Sequence, residues 1–213
     1  METDGSLSLI ASKKSNVRNP DDLKGKNISV SGNTFVEYAT DEVMKRACLH
    51  PGEVNKPEIN NIPLRLMMLE DGQISASFLP GPATAIALNN GHTALLNTRQ
   101  MGLRCTGIVF SEKAITEKDE EIRRFITGYN LGVKYLQTRP QNEWTEILVK
   151  EFGLQEKAAM QIDLPDYRPA TRPSYHDIEK IIAWLKSKGA IPDYYPGENL
   201  VDTTFIPGTL KPQ

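Results

Sequence analysis

The chain has 213 residues, of which 39% are hydrophobic and 24% charged, with a formal net charge of −2. This length allows one large domain or two smaller lobes, and the composition is ordinary for a soluble globular protein. No block of basic residues predicts a nucleic-acid surface, and the apolar runs are too short to span a bilayer. The first six residues lack the basic and apolar regions of an export signal, so the chain as written carries none.

Strand and helix patterns alternate through the first half of the chain. The predicted strands are 7–12, 26–31, 74–79 and 93–98. The predicted helices are 34–48, about 64–71 and about 83–89. Alternation of this kind predicts an α/β fold with a mainly parallel sheet and flanking helices.

The start of helix 34–48 is the best defined of these. Thr34 can cap the first free amides while Glu37, three residues later, reaches back. This arrangement is the capping-box pattern.

The second half of the chain is mainly helical. Residues 117–138 have apolar side chains at three- and four-residue spacing, and a second helix follows around Trp144. Residues 162–173 form a proline-rich connector. Ser174 then caps a helix that ends at Gly189.

Motifs for catalysis, cofactors and metals are missing from the sequence. His50, His92 and His176 lie far apart, and each is interpreted as a surface or turn histidine rather than part of a metal triad. Cys48 and Cys105 are interpreted as small buried hydrophobic residues. We therefore expect no catalytic residue, no metal and no cofactor.

The candidate ligand contacts lie at three places where predicted strands end or helices begin, because ligands of open α/β sheets bind beyond the carboxyl ends of strands. They are Ser31, Gly32, Asn33, Thr34, Glu37, Tyr38, Pro63, Arg65, Pro80, Gly81 and Pro82.

Several of these residues have two interpretations. The helix start after Gly32 could hold an anion, or its amides could simply be capped. The Glu37 carboxylate would repel that anion, or it could bind an amine. Arg65 could clamp an anion or lie solvated on a helix surface. Tyr38 could stack on a ligand or pack against the neighbouring loop. Pro80-Gly81-Pro82 fixes a loop that cannot continue as helix until about 83.

A family resemblance rests on two long segments. They are NPDDLKGKNISVSGNTFVEYATDEVMKRACLHPGEV (19–54) and IPLRLMMLEDGQISASFLPGPAT (62–84). Together they resemble solute-binding proteins of ABC importers with the type II periplasmic-binding-protein fold, in the branch that binds sulfonates, taurine, nitrate or thiamine precursors (NMT1/THI5-like). ITGYNLGVKYLQTRPQ and DIEKIIAWLKSKGAI look like the C-terminal region of that family, so the resemblance covers about 7–201.

The chain also departs from the family pattern. Ser75 stands where Asp is usual, Gly81 where Glu is common, and Cys48 where a helix-ending Gly is usual. In the family, most of lobe one precedes the region matched here. The resemblance therefore implies that this chain lacks the N-terminal part of lobe one, as a truncated gene product or an expressed fragment would.

The resemblance implies a domain organisation. Residues 1–13 would end lobe one and cross the first hinge, 14–104 would form lobe two, 105–111 would cross back, and 112–213 would complete both lobes. Apolar faces meant for the missing part of lobe one would be exposed, so a homodimer or swapped oligomer is expected.

The leading functional hypothesis is a solute-binding component of an ABC importer, periplasmic or membrane-anchored outside the cell, that works with permease and ATPase subunits. It would bind a small polar organic solute in a cleft and need no covalent chemistry. One alternative is an enzyme like the thiamine-pyrimidine synthases of the same fold, although two distant cysteines do not match the cysteine-rich segment of that branch. Another alternative is a sensor domain outside transport.

Overall fold

The computed structural model describes residues 2–3, 6–104, 106–152, 155–160, 162 and 164–206. Contacts divide the chain into two compact units. We call Asp4–Leu103 with Leu154–Pro165 the sheet unit. The helical unit comprises Met1–Thr3, Arg104–Gly153 and Asp166–Gln213.

The described strands and helices follow the predicted alternation. The strands are β1 (Glu2–Thr3), β2 (Ser8–Ala11), β3 (Ile28–Ser29), β4 (Ala76–Leu79), β5 (Thr93–Asn97) and β6 (Thr106–Gly107). The helices are α1 (Phe35–Arg46), α2 (Ile62–Asp71), α3 (Gly81–Asn89), α4 (Glu112–Glu117), α5 (Asp119–Thr138), α6 (Gln141–Phe152), α7 (Glu156–Met160) and α8 (Tyr175–Ser187). Short 3-10 helices cover Pro20–Leu23, Pro51–Glu53 and Gly197–Leu200.

The sheet of the sheet unit has the strand order β3-β4-β2-β5. β3 pairs with β4 in parallel, whereas β2 is antiparallel to both β4 and β5. Three of the four strands share one direction, but β2 lies between β4 and β5 in the opposite direction. Two of the three strand pairs are therefore antiparallel, and the sheet is mixed rather than mainly parallel as predicted. The predicted range 1–13 contains β2, and the assignment of the predicted ranges to two lobes stays a prediction.

The core of the sheet unit lies where β4 packs against α2 and α3. All four residues of β4 are buried, as a strand covered on both faces requires. One buried apolar cluster comprises Ile10, Ile59, Leu69, Ile74, Leu79, Ala83 and Ala87. Gly72 ends α2 at φ +77°, a conformation that costs little only for glycine, so the chain can turn into β4.

Two predictions about single residues of this unit are wrong. Cys48 is exposed because it follows α1 with φ +52°, in a left-handed turn that carries its side chain outward. His92 follows the turn at Asn90–Gly91 but is buried rather than at the surface, because Nδ1 accepts from Lys13 N at 3.0 Å and Nε2 lies 2.9 Å from Glu70 Oε2. Cys105 lies outside the described residues.

The helical unit is built around α5. Ile122, Ile126 and Val133 form its buried face, as the predicted spacing requires. The predicted helix 117–138 begins later, at Asp119, because the backbone of Lys118 leaves the helical conformation and separates α4 from α5. Ser174 accepts a hydrogen bond from Asp177 N and caps α8, which confirms the predicted start.

An acidic residue of the helical unit holds two arginines. Asp166 Oδ2 lies 2.6 Å from Arg104 Nη2 and 2.8 Å from Arg168 Nη2. The hydrogen bond from Arg104 lowers the pKa of the Asp166 carboxyl despite some burial, and Arg168 adds to the effect.

This contact predicts an acid-dependent loss of stability. Because the folded-state pKa of Asp166 lies below its unfolded value, its contribution is present above that unfolded value and is lost as pH falls below about 4. Asp166→Asn should remove about 0.5 kcal/mol at pH 7 and flatten the acid limb of a urea-unfolding series. An unchanged acid limb in the variant would contradict this expectation.

No helix among the described residues is both long enough and apolar enough to cross a bilayer.

Candidate ligand-binding site

Three neighbouring parallel segments of the sheet unit end at the same edge of the sheet. β3 pairs in parallel with β4, and parallel bridges join Asn27 to Asn55 and Val30 to Glu58 on its other side. Ligands of open α/β sheets bind beyond the carboxyl ends of such strands. The residues that follow the three ends are therefore the candidate site.

Four residues form what we call the carboxyl-edge cluster: Ser31, Gly32, Glu58 and Asn60. The hydroxyl of Ser31 donates to Asn60 Oδ1, and Asn60 Nδ2 donates to Glu58 Oε1 at 3.2 Å. The Glu58 carboxylate lies against Gly32, where an added Cβ would come within 2.9 Å of Oε1. Gly32 therefore makes room for the carboxylate, and the cluster presents a hydroxyl, an amide and a carboxylate side by side.

The first amides of α1 are bonded to side chains of the protein itself. Thr34 Oγ1 accepts from Val36 N at 3.2 Å, and Glu37 Oε2 accepts from Asn33 N at 2.8 Å. Glu37 reaches back as predicted, but to the amide of Asn33, because Thr34 N donates to Ser31 O. These contacts support the capping interpretation over an anion seat.

Glu37 is turned toward a lysine inside the sheet unit. Its side chain is 9% exposed, and Oε1 lies 3.4 Å from Lys56 Nζ, which also lies 2.7 Å from Asp41 Oδ1. Lys56 therefore compensates the charge of Glu37 locally.

The start of α3 differs from that of α1. The helix begins at Gly81, two residues before the predicted position, because Pro82 is compatible with a first helical turn and Pro80 takes the N-cap position. Pro80 supplies no side-chain cap, so the first-turn amides of α3 have none within the described part of the chain. This start is the better place for a ligand acceptor group.

Arg65 is buried within the sheet unit. Its side chain is among the largest fully buried ones, which contradicts the solvated-surface interpretation. Nε and Nη2 donate to Ile59 O at 3.1 and 2.8 Å, and Nη1 donates to Phe78 O at 3.1 Å. Burial lowers the pKa of the guanidinium. Arg65 thus joins the two segments that flank β3, and its three bonds support a structural role.

The other predicted contacts are split between surface and interior. Pro63 lies exposed in the first turn of α2, whereas Tyr38 is buried in α1 and packs inside the unit, as one of its two interpretations proposed. Ligand contact by any predicted site residue stays a prediction.

Two residues of the carboxyl-edge cluster, Glu58 and Asn60, were missed from the sequence. The segment EINN (58–61) follows a proline and lacks the apolar alternation of a strand, so no strand end is expected there. The parallel pairing of Val30 with Glu58 brings it to the edge. In the described residues, no three His, Cys, Asp or Glu side chains gather as a metal site.

Comparison with models of known protein families finds a match over most of the chain. The model of a protein family described as NMT1/THI5 like matches residues 4–143. No curated protein sequence matches the chain.

Several solved structures share the fold. The periplasmic aliphatic sulphonate binding protein SsuA from Escherichia coli superposes with a TM-score of 0.68 at 13% identity, covering 89% of this chain and 63% of that one. The ligand binding component of an ABC-type import system from Staphylococcus aureus superposes with a TM-score of 0.74 at 12% identity, covering 96% and 70%. The desulfurization enzyme DSZB superposes with a TM-score of 0.64 at 12% identity, covering 94% and 74%.

These similarities confirm the predicted fold class, α/β of the type II periplasmic-binding-protein kind. The chain spans 63% of the length of the Escherichia coli protein and at most about three quarters of the others named.

Proposed function

Because this chain belongs to the NMT1/THI5-like family, we propose that it binds a small polar organic solute at the carboxyl edge of its sheet. The solute is held without covalent chemistry, by hydrogen bonds to the strand ends and by the amides at the start of α3.

The carboxyl-edge cluster is the observation that carries this proposal. Glu58 is exposed, has no cation within ion-pair distance among the described residues, and bonds only to Asn60. Ser31 and Gly32 lie beside it at the end of β3. Polar groups that converge at the ends of parallel strands are typical of small-molecule sites.

Transport is the process we propose for this binding. Two solved neighbours are a periplasmic sulphonate-binding protein and the ligand-binding component of an ABC-type importer. We therefore propose a periplasmic or extracellular location and delivery of the solute to ABC permease and ATPase subunits. Uptake of the solute by cells that carry the protein with its permease and ATPase, and loss of uptake without the protein, tests this step.

An enzymatic role is the second candidate, since the desulfurization enzyme DSZB shares the fold. The two roles differ in what happens to the solute. A bound probe that mass spectrometry recovers unchanged supports binding, and turnover of the probe supports the enzyme.

We expect Gly32→Ala to weaken solute binding by about tenfold. The added Cβ would push the Glu58 carboxylate out of place, and the lost contact with the solute would reduce the binding free energy by about 1.4 kcal/mol. Calorimetric titration of an alkanesulfonate, a dicarboxylate, an amino acid and an aminopyrimidine supplies the wild-type affinities.

Gly52→Ala is the matched control, since no atom lies within 4 Å of a Cβ at that position. It should leave the affinity unchanged. Equal affinities for Gly32→Ala and wild type would exclude the carboxyl-edge cluster as the site, and no binding of any probe would contradict the proposed function.

A further inference from the structure

The Glu58 carboxylate is the charged group of the carboxyl-edge cluster, and its partners in the cluster do not neutralise it. Asn60 Nδ2 donates to Oε1 at 3.2 Å, and the hydroxyl of Ser31 donates to Asn60 Oδ1. Both partners are neutral, and no cation of the described residues lies within ion-pair distance of Glu58. The side chain is exposed, so its negative charge is open to a solute.

The position of this carboxylate is set by two segments of the sheet unit. The parallel bridge between Val30 and Glu58 holds the backbone of Glu58 beside the end of β3. The carboxylate lies against Gly32, where an added Cβ would come within 2.9 Å of Oε1. Glu58 is therefore held at the sheet edge by its neighbours rather than extended into solvent.

The lysine nearest to Glu58 in the sequence is bound to other acids. Six charged side chains belong to the segments 26–41, 55–65 and 76–84 that build this edge: Lys26, Glu37, Asp41, Lys56, Glu58 and Arg65. Lys56 Nζ lies 3.4 Å from Glu37 Oε1 and 2.7 Å from Asp41 Oδ1. Lys56 thus compensates two acids, and Glu58 is the third acid.

The two remaining cations of these segments are also directed away from Glu58. Lys26 precedes β3, at the opposite end of that strand, and its Nζ donates to Ser15 O at 3.4 Å. Arg65 is buried, and its guanidinium donates to the carbonyls of Ile59 and Phe78. Neither base is left to hold an anionic solute beside Glu58.

An anion at this place would also find the amides of α1 occupied. Asn33 N donates to Glu37 Oε2, and Val36 N donates to Thr34 Oγ1. The Glu58 carboxylate would repel an anion, whereas it would form a charge-assisted hydrogen bond with a cationic donor.

On the basis of the function proposed above, we propose that the solute carries a protonated primary amine, which the Glu58 carboxylate binds. The ammonium donates to the carboxylate, and Asn60 and Ser31 hold the carboxylate in place. The charge of the solute at this point is therefore opposite to that of a sulfonate or a nitrate.

The strand order suggests a probe for this contact. The start of α3 follows β4, and β3 lies between β4 and the segment of Glu58. Two strand spacings of about 4.8 Å separate these backbones by about 10 Å. A solute that reaches both ends has its amine and its acceptor group at opposite ends of a short chain, as in 4-aminobutanoate. Pentanoate is the matched probe, with a methyl group in place of the ammonium.

Calorimetric titration with both probes tests the amine. We expect wild type to bind 4-aminobutanoate at least about tenfold more tightly than pentanoate. Glu58→Gln keeps an oxygen for Asn60 Nδ2 but loses the charge, so it should abolish this preference. Asp71→Asn is the matched control, because it removes one negative charge from an exposed residue at the far end of α2, about 15 Å from the start of that helix. It should keep the preference, and circular dichroism checks that both variants are folded.

Three results would overturn the amine. They are equal or tighter binding of pentanoate by wild type, a preference that Glu58→Gln retains, and no binding of 4-aminobutanoate. Each of them leaves the proposed function in place if the alkanesulfonate or the dicarboxylate binds. Failure of every probe would contradict the proposed function as well.

Discussion

Replacing Arg65 with methionine is expected to destabilise the sheet unit by about 3 kcal/mol, because two buried carbonyls lose a charged donor at once. Methionine keeps much of the apolar volume, so the loss reports the three hydrogen bonds to Ile59 O and Phe78 O rather than a cavity. Lysine in place of Arg65 should recover only part of the loss, because one ammonium cannot reproduce the planar fork.

Hydrogen exchange of the β3 and β4 amides is the appropriate measurement. Both tryptophans, Trp144 and Trp184, belong to the helical unit, so their fluorescence does not report on the sheet unit. Arg124→Met is the control, since the exposed pair of Arg124 with Glu120 should contribute less than about 0.5 kcal/mol. Exchange rates in Arg65→Met that match those of the control would contradict the structural role.

Replacing His92 with leucine is expected to cost the sheet unit about 2 kcal/mol. His92 Nδ1 accepts from Lys13 N at 3.0 Å, so Nε2 carries the proton and faces Glu70 Oε2 at 2.9 Å. Although partial burial acts to raise the pKa of Glu70, hydrogen bonds from Asn90 and His92 hold it below its usual range. Leucine would leave Lys13 N without an acceptor.

Asparagine in place of His92 tests the two contacts separately. Its Oδ1 can accept from Lys13 N in place of Nδ1, whereas the contact of Nε2 with Glu70 is lost. His92→Asn should therefore be intermediate in urea unfolding followed by circular dichroism. His176→Leu is the control on the exposed face of α8 and should have little effect. If His92→Asn were as unstable as His92→Leu, the hydrogen bond to Lys13 N would not be the stabilising contact.

Much of the fold and little of the site could be predicted from the sequence. Strands, helix starts such as Thr34 and Ser174, and helix ends such as Gly72 and Gly189 depend on neighbours within a few residues, and periodic apolar residues reveal the faces to be buried. The order of these local signals along the chain was also enough to identify the family.

Only the tertiary structure decided which polar side chains lie together. Glu58 meets Gly32 because an irregular segment pairs with β3, and Arg65 reaches Phe78 O because α2 packs on β4. Such contacts join residues that are 13 to 79 positions apart, as between Lys13 and His92. No local pattern encodes them, because a buried polar group takes whatever partner the packed sheet brings within hydrogen-bonding distance.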